Sequence, residues 1–167
     1  MSLAAVDVDM RRPEVVMANP CDLAAALRLY EAYLSERVPG WQTVAAEEHD
    51  RLAEWLIGRL CRPPDTVVVF LANVEHQTVG IAMAELHQQP YGLVRRMASG
   101  DMWYVEPGWR GRGLGMAMYE AVWRWAATHY AEQMIIAVDV ETPDAAKWQA
   151  RGYRPAQLLM LKPIGRT

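Results

Sequence analysis

Val105-Glu106-Pro107-Gly108-Trp109-Arg110-Gly111-Arg112-Gly113-Leu114-Gly115-Met116 is the stretch on which the reading of this chain turns. Before it, Met102-Trp103-Tyr104-Val105 has the composition of a strand. After it, Leu114, Met118, Ala121, Val122 and Trp125 recur at helical spacing, which predicts a long helix from Leu114 to Tyr130. Four of the eleven glycines lie between Gly108 and Gly115, more than the one or two that a tight turn needs. Glycine admits positive φ and lets foreign atoms approach the backbone closely. Successive amides in such a turn point outward as a nest, and the helix that follows adds about half a positive charge at its N-terminus. Arg110 and Arg112 add two cations able to fork onto phosphate oxygens. The segment therefore predicts an anion site between a strand and a helix.

Three better-known loops do not fit. A phosphate-binding loop of the Walker type needs Lys-Ser/Thr after its last glycine, where this chain has Leu114-Gly115. The dinucleotide fingerprint G-x-G-x-x-G would need glycine at Met116 or Met118. A disordered Arg-Gly segment would be repeated, whereas this one is short and joins two ordered elements.

Around this stretch, 167 residues suit one domain. An apolar share of 52% excludes a disordered chain. No apolar run reaches the ~20 residues that cross a bilayer, and Met1 to Asp9 has no basic segment, so neither a membrane span nor a signal peptide is expected. Seventeen basic and twenty acidic residues give a net charge of −3, which offers no global attraction to nucleic acid. Cys21 and Cys61 have no metal-like spacing and read as reduced, mostly buried thiols of a cytoplasmic protein. His49, His76 and His129 have no paired-ligand spacing, so no metal is expected.

Asn19-Pro20 opens a helix running to about Arg37, and Glu47 to about Leu60 forms a second, with the loop 38–46 between them. Thr66 to Leu71 and Val79 to His87 read as a hairpin, followed by an irregular segment 88–100. A buried strand is expected at 134–140, a short helix between Thr142-Pro143 and Gly152, and a last strand at 157–162. The first strand lies at either 4–9 or 14–17. Together these predict an α/β (α+β) fold, a mixed sheet covered by helices.

The glycine stretch resembles the signature of the GCN5-related N-acetyltransferases, Arg/Gln-x-x-Gly-x-Gly/Ala, complete here as Arg110-Gly111-Arg112-Gly113-Leu114-Gly115. Val105-x-Pro107 before it is similar to the family, as is the later order of strand, short helix, Gly152-Tyr153 and final strand. The similarity covers 14–162 in element order and is motif-specific over 79–153. It implies a single domain, 1–167, with a mostly antiparallel mixed sheet, binding acetyl-CoA as co-substrate. Amides from Gly111 through Leu114 and Gly115 to Met116 would hold the pyrophosphate, flanked by Arg110 and Arg112. Backbone groups around Tyr104 and Val105 would pair with the pantetheine arm. A primary amine on a small molecule or peptide would attack the thioester directly.

This chain departs from the family pattern twice. Trp148 stands where the family often has a Tyr that protonates the thiolate, and an indole N–H donates a hydrogen bond without usefully deprotonating. Trp148 would instead pack on the acyl end or the pantetheine. Glu141-Thr142-Pro143 occupies a position where an Asn is common.

Removing the ammonium proton needs a base near the strand 102–105. Asp101 opens that strand and, by simple alternation, shares a side with Trp103 and Val105. Glu85 lies late in the neighbouring strand on the side of Met83 and His87. His87 borders a loop. Glu106 would oppose a phosphate and is expected to face solvent, and the Tyr30 and Tyr33 face and the Met116 and Met118 pair read as packing. Three functions remain in order: an N-acetyltransferase, a CoA-binding module with weak or no transfer, and a distant adaptor using Arg95, Arg96, Arg110 and Arg112. Exposed aromatics could support a homodimer.

Overall fold

In the computed structural model, residues 13–38, 40–43, 45–88, 96–137 and 144–155 are described. The chain divides into two compact units, Met1–Ile136 and Ala137–Thr167.

The first unit is built on five strands in the order β1-β2-β3-β4-β5. They are β1 (Glu14–Met17), β2 (Val67–Val74), β3 (Gln77–Gln88), β4 (Arg96–Val105) and β5 (Gln133–Ile136). The first four are antiparallel neighbours, and β5 runs parallel to β4 with Met97 opposite Gln133 and Gly100 opposite Ile136. Helices α1 (Leu23–Arg37) and α2 (Ala46–Leu60) cover one face and α3 (Leu114–Thr128) the other.

Strand β2 explains the architecture. Its first six residues are all buried, as a continuous apolar run demands when both faces are covered. Val68, Phe70 and Ala72 pack towards Leu114, Met118, Val122 and Trp125 of α3. Val69 and Leu71 pack towards Ala26 and Leu29 of α1 and Leu56 of α2. The α3 face is lined by small residues, Ala82, Ala84 and Ala98, which let the helix lie close. At Gly80 a Cβ would come within 3.1 Å of Met118 Cε and 3.2 Å of the Tyr104 carbonyl oxygen. Trp125 ties α3 down further by donating Nε1–H to the Pro64 carbonyl at 2.6 Å.

Several expectations change. Strand β1 takes the second of its two candidate positions. Asn19 caps a 3-10 turn, Pro20–Asp22, that leads into α1: Asn19 Oδ1 accepts from Cys21 N–H and Asp22 Oδ2 accepts from Asn19 N–H, both at 2.9 Å. Residues 96–101 are strand and not irregular. Pairing with β3 holds them there although Ser99, Gly100 and Asp101 have poor strand propensity. Helix α3 stops at Thr128, where His129 closes the last turn and Tyr130 turns left-handed at φ 60°. Cys21 and Cys61 are exposed, because one sits in the 3-10 turn and the other caps the end of α2. Residues 4–9, 138–140, Thr142, Pro143 and the expected strand 157–162 lie outside the described residues.

In the second unit α4 (Asp144–Gln149) is closed by Gly152 at φ 88°, which brings Tyr153 N–H to the Trp148 carbonyl at 3.2 Å. No helix among the described residues is long and apolar enough to cross a membrane.

Candidate active site

The glycine stretch folds as its chemistry requires. Pro107–Trp109 makes a 3-10 turn, Gly111 and Gly113 are left-handed at φ 76° and 83°, and Gly113 is the N-cap of α3. No side chain caps this helix and no acidic residue lies in its first turn, so the amides of Leu114, Gly115 and Met116 face outward without an internal anion. Leu114 anchors the turn by burying its side chain in the α3-side core. Gly115 is informative because its φ is not left-handed and a Cβ there would meet nothing within 4 Å. Glycine inside a helix costs roughly 0.5–1 kcal/mol relative to alanine, and nothing among the described residues requires it here. Open space also surrounds Gly108, Gly111 and Gly113.

The two arginines of the loop are already engaged. Arg110 reaches both carboxylate oxygens of Glu36 through one guanidinium nitrogen, at 2.8 and 2.7 Å, and donates Nε–H to the Val105 carbonyl at 2.7 Å. Its guanidinium lies 5.4 Å from the Tyr104 ring centroid, and the Tyr104 hydroxyl donates to Glu36 Oε1 at 3.1 Å. Burial, reinforced by the hydrogen bond and charge of Glu36, raises the Tyr104 pKa above the usual phenol value. Arg110 is thus a strut joining the end of α1, the end of β4 and the loop. Arg112 lies 4.9 Å over the Trp109 ring. Glu106 is neutralised by Arg28, which also donates to the Thr78 carbonyl, so it does not simply face solvent.

Strand β4 supplies an open edge beside the loop. It pairs with β5 only as far as Gly100, so among the described residues no strand covers the outer edge of 101–105. Glu106 N–H donates to Val79 O at 3.0 Å, and antiparallel alternation then turns the amide and carbonyl of Trp103 and the amide of Val105 outward, while the Val105 carbonyl takes the Arg110 Nε–H. An extended ligand chain would meet those groups.

A bulge sits where this edge opens. Met102 pairs with Met83 and Gly100 with Ala84, which leaves Asp101 without an opposite residue. The extra residue shifts the alternation. Ala98, Trp103 and Val105 belong to the α3 face, whereas Met102 and Tyr104 belong to the α1/α2 face. Asp101 joins the latter, bonded to Ser99 and to Arg59 of α2. The expectation that Asp101 shares a side with Trp103 and Val105 is therefore wrong, because simple period-2 counting passes through a bulge. The Trp103 ring folds over Gly100, where a Cβ would fall 2.1 Å from it.

Arg59 brings the two predicted carboxylates together. It contacts Glu85 at 3.0 Å and Asp101 at 3.1 Å, and its guanidinium stacks 4.5 Å from the Trp55 ring. Arg62 holds the other Glu85 oxygen at 3.2 Å. Tyr30 packs edge-on against Trp55 at 5.3 Å and Tyr33 at 5.9 Å, and Tyr33 against Tyr104 at 6.3 Å, so an aromatic wall links this cluster to the loop strut. Burial, and then Tyr33, raises the Tyr30 pKa. Met118 is core and Met116 half-buried.

Trp148 lies on α4 in the second unit, with the Tyr153 ring edge-on at 5.4 Å and the Arg151 guanidinium 5.8 Å from its ring. Arg95 lies outside the described residues, and Arg96 donates to the Asp65 carbonyl at 3.1 Å. Glu36, Arg59 and Ser99 were not among the sequence candidates, since no local pattern distinguishes them. A shallow depression on the outer surface of α3, lined by Tyr119, Glu120, Trp123 and Arg124, contains none of the predicted site residues. Among the described residues no group of three His, Cys, Asp or Glu side chains could hold a metal ion.

Comparison with known proteins places the family and the fold. The family model described as "Acetyltransferase (GNAT) family" matches residues 26–153, and the chain belongs to that family. Among characterised proteins, aminoglycoside N(6')-acetyltransferase type 1 of Klebsiella aerogenes is 31% identical over 101 residues, which is 57% of this chain and 62% of that protein. The aligned part thus spans about three-fifths of that relative. Among solved structures, AAC(6')-Iy in complex with the bisubstrate analog CoA-S-monomethyl-acetylneamine superposes with a TM-score of 0.69 at 18% identity, over 93% of this chain and 100% of that one. Ribosomal-protein-alanine N-acetyltransferase from Brucella melitensis gives 0.69 at 14% identity, over 93% and 100%. Both share the fold.

Proposed function

We propose that this chain moves an acetyl group from acetyl-CoA to a primary amine of a small, cationic acceptor of the aminoglycoside kind, by direct attack. The observation that carries this is the uncapped N-terminus of α3, bordered by glycines with open space and beside the open edge of β4. Acetyl-CoA supplies the activated thioester. The outward amides from Gly111 to Met116 match its pyrophosphate, and the outward groups of Trp103 and Val105 match an extended amide chain. The proposal takes both units as parts of one acyl-CoA-binding domain working in the cytoplasm. The acceptor class follows the 31%-identical relative, named as an aminoglycoside acetyltransferase.

The incoming ammonium must lose a proton before it attacks, and Asp101, at the bulge where the edge opens, is the base in this reading. Glu85 beside it adds negative charge that favours a cation. The acceptor ammonium competes with Arg59 for these carboxylates.

A second reading has one observation in its favour. Arg59 pairs with both carboxylates, which would suit a CoA-binding module without transfer. The two readings separate by thiol release from acetyl-CoA with a panel of neamine, a diamine and a peptide with a free amino terminus. Release faster with neamine than with the peptide supports the first reading. CoA binding without release supports the second.

A further inference from the structure

Asp101 does not stand alone on its face of the sheet. Ser99, two residues earlier on β4, donates its hydroxyl hydrogen to Asp101 Oδ1 at 2.8 Å. Across the strands, His87 Nε2 lies 2.8 Å from the same Ser99 oxygen. A serine hydroxyl has one hydrogen, and an ionised carboxylate only accepts. With that hydrogen on Asp101, the contact with His87 needs a hydrogen on Nε2. The chain is therefore directional, from His87 Nε2–H to Ser99 Oγ and from Ser99 Oγ–H to Asp101. Arg59 occupies the other carboxylate oxygen, Oδ2, at 3.1 Å.

We propose that Ser99 and His87 are positioning residues for Asp101: Ser99 keeps its carboxylate aimed along the α1/α2 face, and His87 fixes the Ser99 hydroxyl. The inference rests on the acyl-transfer reading, in which Asp101 takes the ammonium proton. The hydroxyl gives the carboxylate a fixed partner at Oδ1, and a rotor held from behind cannot turn away. The two ends of the sheet face thus divide the work. Arg59 supplies charge that an incoming cation can displace, while the neutral Ser99 hydroxyl stays in place and keeps Asp101 oriented during the exchange. The groups facing Asp101 are Ser99 on its own strand, Glu85 and His87 on β3, Arg59 on α2 and Tyr30 on α1, with Arg62 after α2 reaching it through Glu85.

Ordinary alternation puts Ser99 and Asp101 on one face, and Asp101 is the extra residue of the bulge. Asp101 is left unopposed while its neighbour two places back is firmly paired with Glu85.

The test compares Ser99→Ala, Ser99→Thr, His87→Gln and His87→Leu with the unmodified chain, using acetyl-CoA and neamine. Ser99→Ala is expected to lower kcat with neamine about tenfold and to leave the KM for acetyl-CoA as it is. Thermal stabilisation by acetyl-CoA should not change. Threonine keeps the hydroxyl and should restore kcat, and glutamine, which keeps a donor, should outperform leucine at 87. Independently of turnover, the carbon-13 resonance of the Asp101 carboxyl at one fixed pH should move in Ser99→Ala and not in Ser99→Thr. An unmoved carboxyl resonance in Ser99→Ala, or equal impairment of the Ala and Thr variants, would overturn the proposal. If the unmodified chain neither responds to acetyl-CoA nor releases thiol, the transfer reading fails and the catalytic part of this inference fails with it. The carboxyl resonance still decides whether Ser99 holds Asp101.

Discussion

The glycine loop, which follows β4, and the Asp101 cluster, which β4 carries, are determined in opposite ways. The loop is a local structure. Positive φ at Gly111 and Gly113, Pro107 in the turn before them and Leu114 as the buried anchor all lie within eight residues, and each would be needed whatever else the chain did. The Asp101 cluster is assembled from β3, β4 and α2, and its geometry depends on a bulge that exists only once β4 pairs with β3. Substitutions in the loop should therefore act on ligand binding with modest effects on folding. Substitutions in the cluster should act on turnover and on one another.

The largest effect is expected from Asp101→Asn, which keeps size and removes the base. It should lower kcat by at least a hundredfold while acetyl-CoA stabilisation persists. Equal losses of turnover and of acetyl-CoA stabilisation would blur the contrast between the two regions.

Gly80→Ala comes next and lies in neither region. Its Cβ would press on a backbone carbonyl as well as on Met118, so overpacking should cost about 1–3 kcal/mol, read as a lower denaturation midpoint. Glu36→Gln is a milder change at the join between the regions. The Arg110–Glu36 pair is partly exposed, so only about 1 kcal/mol or less of stability is expected to go. Freed from its strut, Arg110 should let the KM for acetyl-CoA rise a few-fold. An unchanged KM would mean that the strut does not set the loop.

The smallest effect concerns pH. Tyr104 and Tyr30 have phenol pKa values raised in the folded chain, so the folded state holds these protons more tightly than the unfolded one. Their stabilising effect is complete below the ordinary phenol value near 10 and is lost as pH rises through the raised values. Tyr104→Phe should flatten that alkaline loss, as measured by chemical denaturation between about pH 9 and 11. A slope equal to that of the unmodified chain would remove Tyr104 from the account.

Legibility in the sequence follows the same division. The loop, the helix after it and the hairpin before it could be read from residue types, because glycine, proline and apolar spacing are local requirements. The fold class followed from them. The side on which Asp101 faces could not, since alternation holds only while pairing is regular. Glu36 and Arg59 were missed for a related reason. Each is one charged residue near the end of an amphipathic helix, and its partner is fixed by how α1 and α2 lie on the sheet. Strand 96–101 was hidden by Ser99, Gly100 and Asp101, where the seat for the Trp103 ring and the polar cluster outweigh propensity.

Acetyl-CoA titrated calorimetrically into the unmodified chain and into Gly113→Glu tests the central claim most directly. Glutamate at 113 would place a negative charge at the helix N-terminus and a side chain where φ is 83°, at a folding cost of about 1–2 kcal/mol. The account predicts saturable binding by the unmodified chain and a loss of at least a hundredfold in the folded variant. Equal binding by the two, or no binding by either, would contradict it.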